Sequence, residues 1–211
     1  MTVFPIDRRR VLWLAGSVGL AGLAPRFLAA AEPAVVMPVQ KLSDTLIQIM
    51  KMGANTSFAE RFKVLAPVID TAFDLERILQ VSVGLGWGAV PPDQKTALQA
   101  AFRSYTVASY VDSFDSFTGQ RFLVSPDTRS LADGNQVVQT EIVSPSGASH
   151  KLDYVMHRTS QGWKAVDVLA DGTISRVAVQ RSDFRQILQD GGASALVASL
   201  QRKTHELSGG V

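Results

Sequence analysis

The sequence predicts an α+β fold, in which N-terminal helices pack on one face of a C-terminal antiparallel sheet and further helices close the chain. Three observations carry this. Apolar residues recur at helical spacing from Lys41 to Phe117. The period then drops to two, from Arg121 to Gln180. Turn residues at Asp133-Gly134-Asn135, Pro145-Ser146-Gly147, Gln161-Gly162 and Asp171-Gly172 join the strands closely, which favours an antiparallel meander. Helices first and strands afterwards give two segregated layers rather than alternating βαβ units.

The first segment reads as an export signal. Arg8, Arg9 and Arg10 precede an apolar run from Val11 to Ala24, and Ala29-Ala30-Ala31 offers small residues for cleavage. The run is short and glycine-rich for a membrane span, which needs about 20 apolar residues. Asp7-Arg8-Arg9-Arg10-Val11-Leu12 is compatible with twin-arginine export and equally with an ordinary secretory route. Cleavage after Ala31 leaves residues 32–211 as one domain, long enough to bury a core of its own. The signal takes four of the 21 basic residues and one of the 19 acidic ones, so the formal net charge falls from +2 to −1. No basic cluster survives to hold nucleic acid. There is no cysteine, so the exported chain relies on its core and not on disulfides.

Within the mature chain, residues 32–40 contain Pro33 and Pro38 and read as an extended leader. Leu42, Leu46, Ile49 and Met50 form a helical stripe that Gly53 terminates. Ser57 and Glu60 have capping-box spacing ahead of Phe58, Phe62, Leu65, Ile69 and Phe73, with Pro67 interrupting or restarting that helix. Asp74 caps a short helix that turns Leu75, Ile78 and Leu79 inward. Pro91-Pro92 opens the longest helix, whose stripe is Leu98, Ala101, Phe102, Tyr105, Ala108 and Val111. Tyr110, Phe114 and Phe117 widen that stripe sideways. Strands follow at Arg121–Ser125, Gln136–Ser144, Ser149–Arg158, Trp163–Ala170 and Thr173–Gln180. Two helices, Ser182–Asp190 and Ala193–Leu207, split by Gly191-Gly192, close the chain.

The catalytic inventory is thin. His150, His157 and His205 have no metal-ligand spacing, and on one strand His150 and His157 face opposite sides. No nucleophile elbow, phosphate loop or dinucleotide fingerprint is present. No cofactor is implied. Asp167 has two readings. It serves as a general base in the pocket of a small exported isomerase or hydrolase, or it orders the sheet by pairing with Arg176, Lys164 or Arg181.

One ordered series of residues goes further. Arg61-Phe62, Phe73-Asp74, Gly86-Trp87, Phe102 and Tyr110 are followed by Tyr154, Gly162-Trp163-Lys164, Asp167-Val168, Gly172, Ser175, Arg181 and Phe184. This series resembles the MlaC family over roughly Leu42 to Leu200. Two positions depart from the pattern. The run before the tryptophan is Val83-Gly84-Leu85-Gly86-Trp87, and Gln180-Arg181 stands where members usually carry Tyr-Arg, removing an aromatic near the supposed cavity.

The resemblance implies a soluble periplasmic phospholipid carrier, also known as a toluene-tolerance protein or an auxiliary component of a lipid ABC transporter. It implies that helices and sheet enclose an apolar pocket for lipid tails. Its partners would be an outer-membrane lipoprotein complex and an inner-membrane ABC transporter with an MCE-type domain, which together maintain outer-membrane lipid asymmetry. Some members are associated with hopanoid biosynthesis. Pocket architecture together with periodicity makes Phe102, Tyr105, Phe114, Phe117, Leu152, Tyr154, Met156, Trp163, Val166, Val168 and Phe184 the candidate lining. Taken from periodicity alone, the same residues read as ordinary core, and it is the resemblance that turns them into a candidate lining.

Overall fold

The computed structural model describes residues 34–209. The export segment and its cleavage site lie outside the described residues.

The first helix, α1, spans Met37–Met52. It starts four residues earlier than the sequence predicts, because Pro38 occupies its first turn, where a missing N–H costs nothing. Val39, Leu42, Leu46, Ile49 and Met50 form its buried face. Gly53, at φ 59°, ends it and donates back to the Met50 carbonyl.

Helix α2, Phe58–Ala72, opens on the expected capping box. The Ser57 hydroxyl accepts the Glu60 N–H at 3.2 Å, and the Glu60 carboxylate accepts the Ser57 N–H at 3.0 Å. Pro67 does not break the helix. It lies on the exposed side of the helix, away from the core.

Helix α3, Leu75–Val83, is capped by Asp74, whose side chain accepts the Arg77 N–H at 3.0 Å. The joint between α2 and α3 is pinned to the sheet. Phe73 forms a parallel bridge with Ala165, and the Asp74 N–H donates to the Ala165 carbonyl at 2.9 Å. Helix α4, Pro92–Ser113, starts at the proline pair.

Five strands then form one antiparallel meander in sequence order: β1 Arg121–Ser130, β2 Gln136–Val143, β3 Ser149–Thr159, β4 Gly162–Ala170 and β5 Ile174–Ser175. Residues directly opposite on neighbouring strands share a face. Val138 pairs with Tyr154, Tyr154 with Val168, and Met156 with Ala165, so these residues turn together toward the helices. Between the last two pairs β4 carries an extra residue: Val155 faces Asp167 while Met156 faces Ala165, which leaves Val166 as a bulge. Strict alternation along β4 therefore fails at Val166.

The end of the chain corrects the sequence reading. Thr173–Gln180 is not a strand. After the two-residue β5 the chain enters α5, Arg176–Leu207. The Ser175 hydroxyl accepts the Ala178 N–H at 2.9 Å, a helix cap that the strand-like spacing of Val177 and Val179 hid. The predicted break between two closing helices sits at Gly192, whose φ of 66° and ψ of −161° are non-helical.

The α+β class holds, with helices layered on one sheet face. Leu46, Ile69, Leu79, Leu98 and Phe102 from α1 to α4 meet Val138, Tyr154 and Met156 from the sheet and Leu196 and Leu200 from α5 in one core. Among the described residues no helix is long and apolar enough to cross a membrane.

Candidate lipid-binding cavity

A cavity of about 320 Å³ lies where α3, the second half of α4, the β3–β4 corner and the start of α5 converge. That is near the lower end of the roughly 300–1,000 Å³ range of small-molecule sites.

Each wall follows from local sequence. Helix α4 contributes Phe102, then Tyr105 and Thr106, Ser109 and Tyr110, and Ser113 and Phe114. These recur at steps of three and four, so they form one face. Phe73, Leu75 and Ile78 come from the α2–α3 joint held against Ala165. The sheet supplies Leu152, Val168 and Ala170, which register places together because Leu152 pairs with Ala170. Val177 and Gln180 arrive from the first turns of α5.

Burial is graded along the cavity. Phe73, Ile78, Phe102 and Val177 are buried, whereas Ser113 and Arg176 are exposed. The deep end is therefore apolar and the mouth polar. The hydroxyls of Thr106 and Ser109 donate to the carbonyls of Phe102 and Tyr105, each at 2.8 Å, so they turn back into their own helix.

A run of aromatic rings backs the cavity. Tyr154 lies 6.1 Å from Phe73, Phe73 lies 5.7 Å from Tyr110, and Tyr110 stacks on Phe114 at 6.0 Å. Behind Phe102, Phe184 makes an edge contact at 6.3 Å. The Tyr110 hydroxyl donates to the Tyr154 oxygen. Burial pushes the Tyr154 phenol up to about 12, partly offset by the bond it accepts from Tyr110. Burial, with Tyr154 adding to it, drives the Tyr110 phenol well above the ordinary range against the opposing charge of Arg176. Both phenols stay neutral at physiological pH.

Asp167 belongs to this lining and has a clear structural task. One carboxylate oxygen accepts the N–H groups of Val168 at 2.8 Å and Val177 at 3.1 Å. The other accepts the Ser175 hydroxyl at 2.5 Å. The carboxylate thus ties the first turn of α5 to β4, with three donors facing it.

The candidate residues separate by position. Phe102, Tyr105, Phe114, Leu152 and Val168 line the cavity. Tyr154 and Phe184 sit one layer behind it, touching the lining rings. Met156 is fully buried in the core, and Trp163 packs half-buried against that core. Val166 is carried out of the lining by the bulge. Phe117 lies beyond the end of α4, partly exposed, with the Lys51 ammonium 5.1 Å from its ring centre. Sequence reasoning left out Phe73, Ile78, Tyr110, Arg176 and Val177. The inward stripe of α3 and the sideways position of Tyr110 were visible as core signals. Arg176 and Val177 were hidden by the strand reading of Thr173–Gln180.

A larger depression of about 460 Å³ opens beside Asp70, Arg103 and Lys164. Its charges are already engaged with one another. Arg103 grips both Asp70 oxygens at 2.7 and 2.6 Å, and Lys164 donates to the Asp70 carbonyl at 3.0 Å. Its walls are polar, so the smaller, apolar-ended cavity is the candidate for a hydrophobic ligand. Among the described residues no group of three or more His, Asp or Glu side chains is placed to hold a metal ion.

Comparison with known families decides what kind of chain this is. The family model described as MlaC protein matches residues 40–202. This chain belongs to the MlaC family. The cavity therefore lies within the MlaC match, because every residue lining it falls between Phe73 and Gln180. Among solved structures, the MlaC chain is similar to the phospholipid-binding protein from Ralstonia solanacearum, determined in complex with a phospholipid. The TM-score is 0.71 at 21% identity, covering 82% of this chain and 98% of that one. At that identity the likeness establishes a shared fold. A search of curated proteins finds no match. The departure Gln180 stands in the MlaC cavity wall, where its side-chain oxygen accepts the Ser82 hydroxyl at 3.4 Å.

Proposed function

We propose that this chain is an exported lipid carrier that holds the acyl part of a phospholipid, or a related membrane lipid such as a hopanoid, in the cavity between α3, α4, the sheet and α5. The observation that carries the reading is the graded cavity, apolar and buried at Phe73, Ile78 and Phe102 and polar at its mouth. Membership of the MlaC family supports it, and so does the phospholipid held by the Ralstonia solanacearum protein of the same fold.

The physical need for a carrier is simple. Each methylene taken out of water is worth about 0.8 kcal/mol, so a sixteen-carbon chain is worth on the order of 12 kcal/mol. A free lipid crosses an aqueous compartment too slowly to be useful. A protein cavity that stands in for the bilayer removes most of that barrier. Release then requires handover to a membrane partner. On this reading the chain works in the periplasm after removal of residues 1–31. It exchanges lipid with an outer-membrane lipoprotein complex and an inner-membrane ABC transporter bearing an MCE-type domain. It carries out no reaction itself.

Native mass spectrometry of the purified mature protein, with lipid extraction from the same sample, tests the reading. A stoichiometric phospholipid or hopanoid adduct is expected. A lipid-free mass, with no uptake after incubation with liposomes, would overturn it.

A further inference from the structure

The cavity contains two charged side chains, and they are in opposite situations. Asp167 is enclosed by three donors: the N–H groups of Val168 and Val177 and the Ser175 hydroxyl. Its charge is spent on holding α5 to the sheet. Arg176 lies between Ser175 and Val177, which both bond to that carboxylate, yet its side chain takes no part in the arrangement. It is exposed at the cavity mouth. The ion pair found among the described residues joins Arg103 to Asp70, and Arg176 has neither an ion pair nor a hydrogen bond among them. The remaining lining residues are uncharged, with Ser113 and Gln180 among the polar ones.

We propose that Arg176 selects the head group, so that this carrier prefers lipids whose phosphate-bearing head group has a net negative charge over zwitterionic ones. The inference rests on the carrier reading above. With tails inserted toward Phe73, Ile78 and Phe102, the head group lies at the mouth, where Arg176 stands unpaired. A guanidinium presents a planar fork of donors that matches a phosphate, and its charge does not titrate away. A zwitterionic head group brings its own ammonium to the same place and cancels part of the attraction. Because the mouth is exposed, water and salt weaken the pairing, and the expected preference is about two- to fivefold.

The test uses the mature protein stripped of lipid and incubated with vesicles containing equal amounts of phosphatidylglycerol and phosphatidylcholine. Bound lipid is then extracted and quantified. The wild type is expected to be enriched in phosphatidylglycerol. Arg176→Gln should bring the ratio to that of the vesicles, and Arg176→Lys should keep part of the enrichment. Arg181→Gln removes a positive charge from the same helix but outside the cavity lining, and should leave the ratio unchanged. Bound lipid without enrichment in the wild type overturns the proposal while leaving the carrier reading intact. Enrichment that survives Arg176→Gln, or is lost equally in Arg181→Gln, also overturns it. No bound lipid of either kind in the wild type removes the carrier reading and the proposal together.

Discussion

The Asp167 carboxylate accepts the Ser175 hydroxyl at 2.5 Å, and through it the last full strand of the sheet holds the first turn of the closing helix. The same carboxylate receives the Val177 N–H at 3.1 Å, so it acts as a cap supplied from another element. Asp167→Ala should therefore lower stability by about 1–3 kcal/mol, the usual range for a lost bond to a charged group. Denaturant unfolding measures this. A variant as stable as the wild type would show that the cap is dispensable.

The tyrosine pair sets an alkaline limit. Both phenols are raised above the ordinary value of about 10, and Tyr154 reaches about 12. Above pH 10 the unfolded chain loses these protons while the folded chain keeps them, so the unfolded state gains. Stability is intact below pH 10 and is lost as pH rises toward 12, at roughly 1 kcal/mol per pH unit for each phenol. Thermal unfolding at pH 9 and pH 11 should show the drop, and Tyr154→Phe should shrink it. A melting temperature that is flat across that window would contradict the buried pair.

Filling the cavity should exclude its ligand without unfolding the domain. Ser109 lines the cavity from α4, and its hydroxyl bonds only to its own helix in the described structure. Ser109→Trp is expected to deplete extracted lipid several-fold while the melting temperature changes by only a few degrees. A charge at Phe102 is a poorer test, because that ring is only 1% exposed and belongs to the core. Undiminished lipid in Ser109→Trp would place the ligand elsewhere.

The Arg103–Asp70 pair is well formed but 40% exposed on both sides. Hydrogen bonding to Asp70 raises the Arg103 guanidinium further above its ordinary value. Exposed pairs are typically worth about 0.2–1 kcal/mol, and the two-pronged geometry here puts this pair at the upper end of that range. Asp70→Asn should thus cost less than about 1 kcal/mol, with the difference shrinking as salt is added. A larger, salt-insensitive loss would mean that the pair braces α2 against α4 more than its exposure implies.

Gly192 adopts φ 66° inside α5. A side chain there meets no neighbour within 4 Å, so only backbone strain opposes it. Gly192→Ala is expected to cost about 1–2 kcal/mol by chemical denaturation. No loss would show that the kink tolerates a side chain.

Much of the fold could be read from local signals. Ser57 and Glu60 announced α2, Asp74 announced α3, and the proline pair announced α4, because each cap is complete within four residues of sequence. The α4 face of the cavity was legible for the same reason: Phe102, Tyr105 and Phe114 recur at helical steps. What escaped is what depends on distant partners. Val177 and Val179 alternate as in a strand, yet the segment is a helix whose first turn is capped by Ser175 and tied to Asp167, ten residues before Val177. Leu75 and Ile78 were visible as inward residues, but nothing local says that they face a cavity rather than solid core. Pro67 read as a breaker because the exposure that makes it tolerable is a tertiary fact.

The extra residue at Val166 means that β4 is written in two frames. Before it, odd-numbered Ala165 faces the helices; after it, even-numbered Val168 and Ala170 do. The faces of this strand are therefore set by how it accommodates one residue. Keeping Val166 but drawing it into a regular ladder would exchange the inner and outer faces of the second half, putting Leu169 where Val168 stands, whereas deleting Val166 would leave Val168 and Ala170 facing inward. The bulge thus governs which residues of β4 are offered to the cavity.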